Sequence, residues 1–475
     1  MRGVWTPPAN RPGPRPQPGS GASAPAPRTS RRKAPTPPVP RPVLVRVALV
    51  VAGIGLGATT AVTITAETPA ELTAPGGLAT FAGNATGMIG TYLALIMVLL
   101  VSRIPFVERV LGPDGLLRWH RRLAPWPISL LIAHALLITV GYAQAARTGP
   151  MHEVGMLLRY YPDMLTATVG LALMCLAGVI SVRAIRQRVR REVWWTVHLY
   201  LYLALAIAFA HVIVLGQSFV GHPLTQALWS VAWAATAGVV LVYRVGLPLV
   251  RTLRHGLTVA EVRPEGPGVV SVICQGRDLD QLAVSGGQFF YWRFLTKDLW
   301  WQAHPYSMSA LPQPQHLRLT VKAVGDHSAA LAGIQPGTRV AIEGPYGTFT
   351  RHAQRNPHVL LLAAGIGVTA VRALLEDLPR SAKPVVVLRA ATPEDLVLAS
   401  EVSDLVKRRG GTLHTLTGTR KQVPIDQRSL PRLVPDVKYR DLYVCGPEGF
   451  VTEMVDLARS LGVPEDAIHH EEFAI

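Results

Sequence analysis

At 475 residues the chain is long enough for two or three domains, and with 49% hydrophobic and only 16% charged residues it is too apolar for a wholly water-soluble enzyme. Its formal net charge of +17 calls for an anionic partner, either nucleic acid or lipid. The three cysteines, Cys175, Cys274 and Cys445, are scattered and form no CxxC pair, which argues against an iron–sulfur cluster or a thiolate zinc site.

Residues 1–42 carry eight Lys or Arg, no acid and thirteen prolines. Such a stretch cannot build a core, so a disordered Pro/Arg-rich cytoplasmic tail is expected, in contact with anionic headgroups beside the first span. It lacks the aromatic interleaving of a nucleic-acid arm, and no nucleic-acid partner is expected. The first apolar run has no small-residue cleavage site and reads as a retained span, not a signal peptide.

Six apolar stretches follow, near 43–65, 85–101, 119–142, 164–182, 194–215 and 225–243. Each is long enough for a hydrocarbon core of about 30 Å. Together they predict a six-span helical bundle over 43–250. Arg183, Arg186, Arg188, Arg190 and Arg191 follow span four, and the link leading into span three carries Arg103, Arg118, Arg121 and Arg122. The links 66–84 and 216–224 carry no Lys or Arg. Basic links stay inside, so a multi-pass cell-membrane protein with both termini in the cytoplasm is expected.

Ionisable residues within spans are costly and mark function. Span three holds His120 and His134, and span five holds His198 and His211. The spacings of 14 and 13 residues correspond to about 20 Å along a helix. Both spans run outward, so His120 and His198 share the inner depth, and His134 and His211 share the outer one. Two pairs at two depths suit two bis-histidine b-type haems stacked across the bilayer. Fourteen positions return within about 40° of the starting face, whereas thirteen miss it by about 140°. Span five is therefore expected to bend, tilt or carry a π-bulge. This pattern resembles the ferric reductase and NADPH oxidase superfamily, whose haem ligands occupy two helices at these spacings. The resemblance extends over about residues 80–475.

After Arg254 the pattern changes to short alternating strands, as in a small antiparallel β-barrel spanning about 255–351. It contains Gly287–Gln288–Phe289–Phe290, His304–Pro305–Tyr306–Ser307–Met308–Ser309 and Gly344–Pro345–Tyr346–Gly347. Their order resembles the flavin domain of the ferredoxin-reductase superfamily. The similarity implies that Tyr306 covers the isoalloxazine and Ser307 reaches its N5 side. His304 stands where many relatives have arginine, and His304–Pro305 followed by an aromatic is similar to the form used in the oxidase branch. Lys322 and the following Gly325–Asp326–His327–Ser328 resemble the stretch whose backbone holds a flavin pyrophosphate, which implies FAD.

Residues 355–475 read as an α/β Rossmann-like nucleotide-binding domain. A buried strand over 358–363 leads into Gly365–Ile366–Gly367–Val368–Thr369–Ala370 and then a helix. That context lets backbone approach a pyrophosphate at a helix N-terminus. Arg389, ending the next strand, suits a 2′-phosphate, and Arg420 is a second candidate, so NADPH is expected with NADH as the alternative. Cys445–Gly446–Pro447 resembles the strand-end signature of the same superfamily, which implies that Cys445 lies beside the nicotinamide. The resemblance also implies that Phe473 is an aromatic gate over the flavin.

The implied function is electron transfer from cytoplasmic NADPH through FAD and two haems to an outer acceptor: ferric chelate first, then oxygen or a quinone. His152 and His222 lie on outer links and are expected to be solvated. The competing readings are a superoxide-producing oxidase, a haem and flavin redox sensor without sustained turnover, and a six-span channel or transporter. Nothing in the sequence signals an oligomeric state.

Overall fold

The computed structural model describes residues 41–473, so the tail expected over 1–42 lies almost wholly outside the described residues. Six helices are long and apolar enough to cross a membrane: Val43–Thr65, Gly77–Val101, Gly115–Ala146, Met164–Ser181, Val193–Leu215 and Pro223–His255. They coincide with the six expected spans, and the second, third and sixth run further. The second begins at Gly77, where Gly, Ala and Thr weaken the apolar signal but permit close packing on span three. A Cβ on Gly83 would lie 2.8 Å from Ile138 Cδ1, and one on Gly141 would lie 2.3 Å from Thr80 Oγ1. Small residues of this kind are what let helices associate within lipid. Spans four and five pack in the same way, with a Cβ on Gly170 falling 2.9 Å from the Ala204 carbonyl oxygen.

Span three is built from Pro113–Leu123 and Pro125–Ala146. Span five, Arg191–Leu215, is an unbroken α-helix, so the π-bulge considered for it is absent. Helix crossing and side-chain reach are left to absorb its angular mismatch. A π turn occurs instead in span six, at Leu241–Gly246, and leads into an extension helix, Leu247–His255.

Beyond it lies the flavin lobe: β1 (Thr258–Gly266), β2 (Val269–Gln275), β3 (Phe289–Phe294), β4 (His304–Ser307), β5 (His316–Lys322) and β6 (Val340–Tyr346). The expected barrel takes the form of two three-stranded antiparallel sheets, ordered β1-β2-β5 and β4-β3-β6. Isolated bridges at Thr258–Arg339 and Met308–Leu319 join them. Strand alternation sets the core: Phe290, Trp292 and Phe294 of β3 are fully buried, which turns Tyr291 and Arg293 outward.

The nucleotide lobe follows as β7 (Val359–Ala364), α1 (Val368–Asp377), β8 (Val385–Ala390), α2 (Ala399–Arg408), β9 (Thr412–Thr417), β10 (Asp441–Pro447), α3 (Glu448–Ser460) and β11 (Ile468–Phe473). Its parallel sheet has the order β11-β10-β7-β8-β9. Every residue of β7 is buried, because helices cover both faces of such a sheet.

Ion pairs bind the flavin lobe on two sides. Towards the nucleotide lobe, Arg318 grips Glu401 of α2 through both terminal nitrogens at 2.8 Å. Towards the membrane helices, Arg103 donates to Glu108 and to the Tyr291 hydroxyl, both at 3.0 Å, and lies 4.7 Å from the Tyr346 ring centre. Arg244, in the π turn of span six, pairs with Glu343 of β6 at 3.0 Å.

Candidate functional site

The four span histidines meet in two facing pairs. His120 and His198 have ring centres 6.2 Å apart, and His134 and His211 have theirs 6.4 Å apart. Two metal–imidazole bonds of about 2.0–2.1 Å each, plus the distance from each nitrogen to its ring centre, add to about 6 Å. Both gaps therefore have the width that one bis-ligated metal ion requires. Among the described residues, no group of three or more His, Cys, Asp or Glu is placed to hold a metal. A two-ligand site suits a metal that brings its own equatorial ligands, as haem iron does.

The surroundings of the two pairs differ. His134 Nδ1 lies 2.8 Å from the Gly83 carbonyl oxygen, which fixes the ring and leaves Nε2 free. A Cβ on Gly87 would come within 2.6 Å of His134 Nδ1, so only glycine fits there. The Met97 backbone, fourteen residues beyond Gly83 in span two, lies near His120, whose Nδ1 is buried without a hydrogen-bond partner. His198 stacks on Trp194 at 4.8 Å. Trp194 in turn donates to Ser181 Oγ at 3.0 Å and lies under the Arg186 guanidinium at 4.6 Å. The Nδ1 atoms of His198 and His211 are buried without a partner. Each such orphan costs about 1–3 kcal/mol.

In the flavin lobe, His304 and Tyr306 project from the same face of β4. The His327 ring stacks on His304 with ring centres 3.7 Å apart, and the Tyr306 hydroxyl is 2.9 Å from His327 Nδ1. The His327 side chain was missed by motif reading, which assigned its segment only a backbone role. Ser307 is buried and its Oγ has no hydrogen-bond partner. Ser328 turns inward, accepting from Val324 N and Gly325 N at 3.0 Å, so it shapes the 324–328 loop. Lys322 reaches across to Asp395 at 3.7 Å. Pro305 is the exposed residue between His304 and Tyr306.

In the nucleotide lobe the two glycines of the turn have separate tasks. Gly365 has φ +55°, the left-handed region that favours glycine. A Cβ on Gly367 would meet the Cys445 carbonyl oxygen at 2.2 Å, so this glycine serves packing of the turn against β10. Val368 begins α1, and the buried Thr369 hydroxyl donates to the Ile366 carbonyl at 2.9 Å. A cleft over Gly365 is lined by Val368, Leu388, Arg389 and Asp395, and a second hollow by Arg389, Arg420, Phe450 and Glu453. Arg389 Nη1 donates to the Val423 carbonyl at 2.6 Å, while its Nη2 is buried without a partner. Burial pulls the Arg389 guanidinium below its ordinary range, against the pull of Glu453. Arg420 lies 3.4 Å from Glu453. The two arginines thus share one hollow containing a single carboxylate.

Cys445 is fully buried at the end of β10, and burial holds its thiol well above the usual range. It is therefore a neutral thiol. Gly446 faces Ala364 and Phe450, and Pro447 pairs with Phe473 in the β10–β11 register. Phe473 packs, half-buried, against a cluster that includes both Cys445 and Phe349. His152, on the helix Pro150–Tyr160, and His222, just before span six, are both exposed.

Residues 86–209 match the ferric reductase like transmembrane component, and 258–350 match an FAD-binding domain. The first match includes His120, His134 and His198 and ends two residues before His211. The chain is 31% identical to an NADPH oxidoreductase of Mycobacterium tuberculosis, over 37% of this chain and 48% of that protein. It is also 31% identical to the ferredoxin reductase component of a 3-ketosteroid-9-alpha-monooxygenase from Mycolicibacterium smegmatis, over 46% and 65% of the two chains. The chain spans about half the length of most such relatives. The flavohem-like FAD/NAD binding domain of a Vibrio cholerae nitric oxide dioxygenase aligns with 46% of this chain and 98% of its own, at 21% identity and a TM-score of 0.40.

Proposed function

We propose, on the premise that this chain joins a ferric-reductase-like transmembrane domain to an FAD- and NAD(P)-binding module, that it carries electrons from cytoplasmic NADPH across the membrane to an acceptor on the outer side. The observation that carries the reading is the pair of facing imidazole pairs, each with the span of a single metal ion. Bound FAD would turn hydride transfer into single-electron transfer, and two b-type haems would relay those electrons between the two depths.

The chain's own residues position and insulate these groups. His120 with His198, and His134 with His211, would each hold one haem and leave its iron no open site for oxygen. Ser307 Oγ would donate to the flavin edge, and Tyr306, oriented by His327, would lie over the ring. Arg389 Nη2 and Arg420 would hold a 2′-phosphate, favouring NADPH over NADH. Cys445, kept neutral by burial, would shape the nicotinamide site without acting as a nucleophile. Phe473, on an edge strand beside Pro447, would yield to the nicotinamide ring. Both termini would lie in the cytoplasm.

For the acceptor, ferric chelate stands ahead of oxygen and quinone. Purified protein in sealed liposomes, with the flavin lobe outside and a ferric chelate trapped within, should reduce the chelate on addition of NADPH. Superoxide formation without chelate reduction would favour an oxidase, and haem reduction without sustained NADPH consumption would favour a sensor.

A further inference from the structure

The outward face of β3 turns towards the membrane helices, and its continuation is apolar. Tyr291 receives a hydrogen bond from Arg103, which follows span two. Arg293, two residues on and therefore on the same face, lies close enough to Glu343 to feel its charge, and Glu343 is the partner of Arg244 in span six. The strand thus runs along the membrane-facing side of the lobe and not away from it. The next residue on this face is Leu295, 42% exposed, and the loop it opens carries Trp300 and Trp301 at 59% and 38% exposure.

The loop is ordered. Leu299 N donates to Thr296 Oγ1 at 3.2 Å, Trp300 N to the Thr296 carbonyl at 3.1 Å, and Arg293 Nη1 to the Trp300 carbonyl at 3.0 Å. Leu299 packs on the lobe core, which leaves the tryptophans outside it. The extension helix repeats the pattern: Arg251 lies near Glu343 and Tyr346, whereas Leu249, Val250 and Leu253 are exposed at 54%, 59% and 67%. Single exposed apolar residues are ordinary, but a Leu-Trp-Trp cluster continuous with the face that docks on the membrane helices is not.

We propose that the 295–301 loop is a monotopic membrane contact, seating Trp300 and Trp301 in the headgroup layer of the inner leaflet beside span six. Tryptophan prefers that layer because its ring is apolar and its N–H is polar. Interfacial segments of this kind sink about 5–10 Å towards the acyl boundary. The contact would fix the flavin lobe against the bilayer at a second point besides the Arg103 and Arg244 pairs. It does not depend on the identity of the acceptor.

The test uses the full chain with its cofactors in lipid nanodiscs. In a Cys175→Ala background, which leaves Cys274 and Cys445, both fully buried, a nitroxide is attached at Trp300→Cys and, separately, at Leu295→Cys. A control label is placed at Lys407→Cys, on the exposed surface of α2. Power saturation with oxygen and with a neutral nickel chelate should give an oxygen-to-nickel accessibility ratio severalfold higher at both loop sites than at the control. A ratio equal to the control's would place the loop in water and overturn the proposal. Low accessibility to both reagents would place it against protein, a second copy included, and would overturn it equally.

Discussion

The histidine pair proposed as inner, His120 with His198, and the pair proposed as outer, His134 with His211, have almost the same ring separation, 6.2 and 6.4 Å, yet they are held by different means. The inner pair rests on side chains: Trp194 stacks on His198, and Arg186 lies over Trp194. The outer pair rests on backbone, through the Gly83 carbonyl and the space left at Gly87. Just beyond it, Asn84 donates to Glu67 at 3.1 Å and to Gln217 at 2.8 Å, tying three segments together. A site made by packing can adapt to a near-isosteric change. A site made by helix proximity cannot accept even one methyl group.

The comparison breaks most sharply at the ligands. His198→Ala and His211→Ala should each remove one haem of two and lower NADPH-driven reduction of the outer acceptor by about 100-fold or more, beyond the usual cost of outer-shell changes. Reduction of a soluble dye directly by the flavin should stay within about twofold, since neither change reaches the flavin lobe. Haem content by pyridine haemochrome and parallel dye assays check both. Gly87→Ala should follow, costing about 10–100-fold in outer-acceptor reduction while the inner-haem spectrum persists. Equal loss of both haem signals would mean that the layers are not independent.

In the nucleotide lobe, Arg389→Ala should raise the KM for NADPH about tenfold or more, the worth of a charged hydrogen bond, and leave that for NADH unchanged. Trp194→Phe should cost no more than about threefold to tenfold in acceptor reduction, consistent with an aromatic contact of about 0.5–1.5 kcal/mol. The smallest effect concerns Cys445. Burial raises its pKa, so the neutral thiol persists as pH rises through 7 to 9. Alkylation by iodoacetamide should be slow across that range, and NADPH-to-dye activity should show no thiolate limb.

The membrane half was legible because lipid imposes a simple code: about twenty apolar residues per span and costly ionisable ones. The pairing of His120 with His198 and of His134 with His211 followed from depth alone. The start of span two did not, since Gly77, Thr80 and Gly83 trade hydropathy for close packing. In the flavin and nucleotide lobes, strands and turns were legible, but side-chain roles depended on tertiary neighbours. His327 meets His304 only because β4 and the 324–328 loop converge. Gly367, read as a phosphate-approach glycine, owes its lack of a side chain to Cys445 on a strand 78 residues away in sequence. No local pattern encodes the Arg103–Tyr291 contact, whose partners lie 188 residues apart.

The most direct measurement is an anaerobic absorbance titration of the purified, cofactor-loaded protein with NADPH, with haem and flavin quantified in the same sample. The account predicts two haems and one FAD per chain, with flavin bleaching followed by sharp reduced bis-histidine haem bands. Flavin that bleaches fully while no haem band appears, in a sample lacking haem after reconstitution, would contradict the role given to the four histidines.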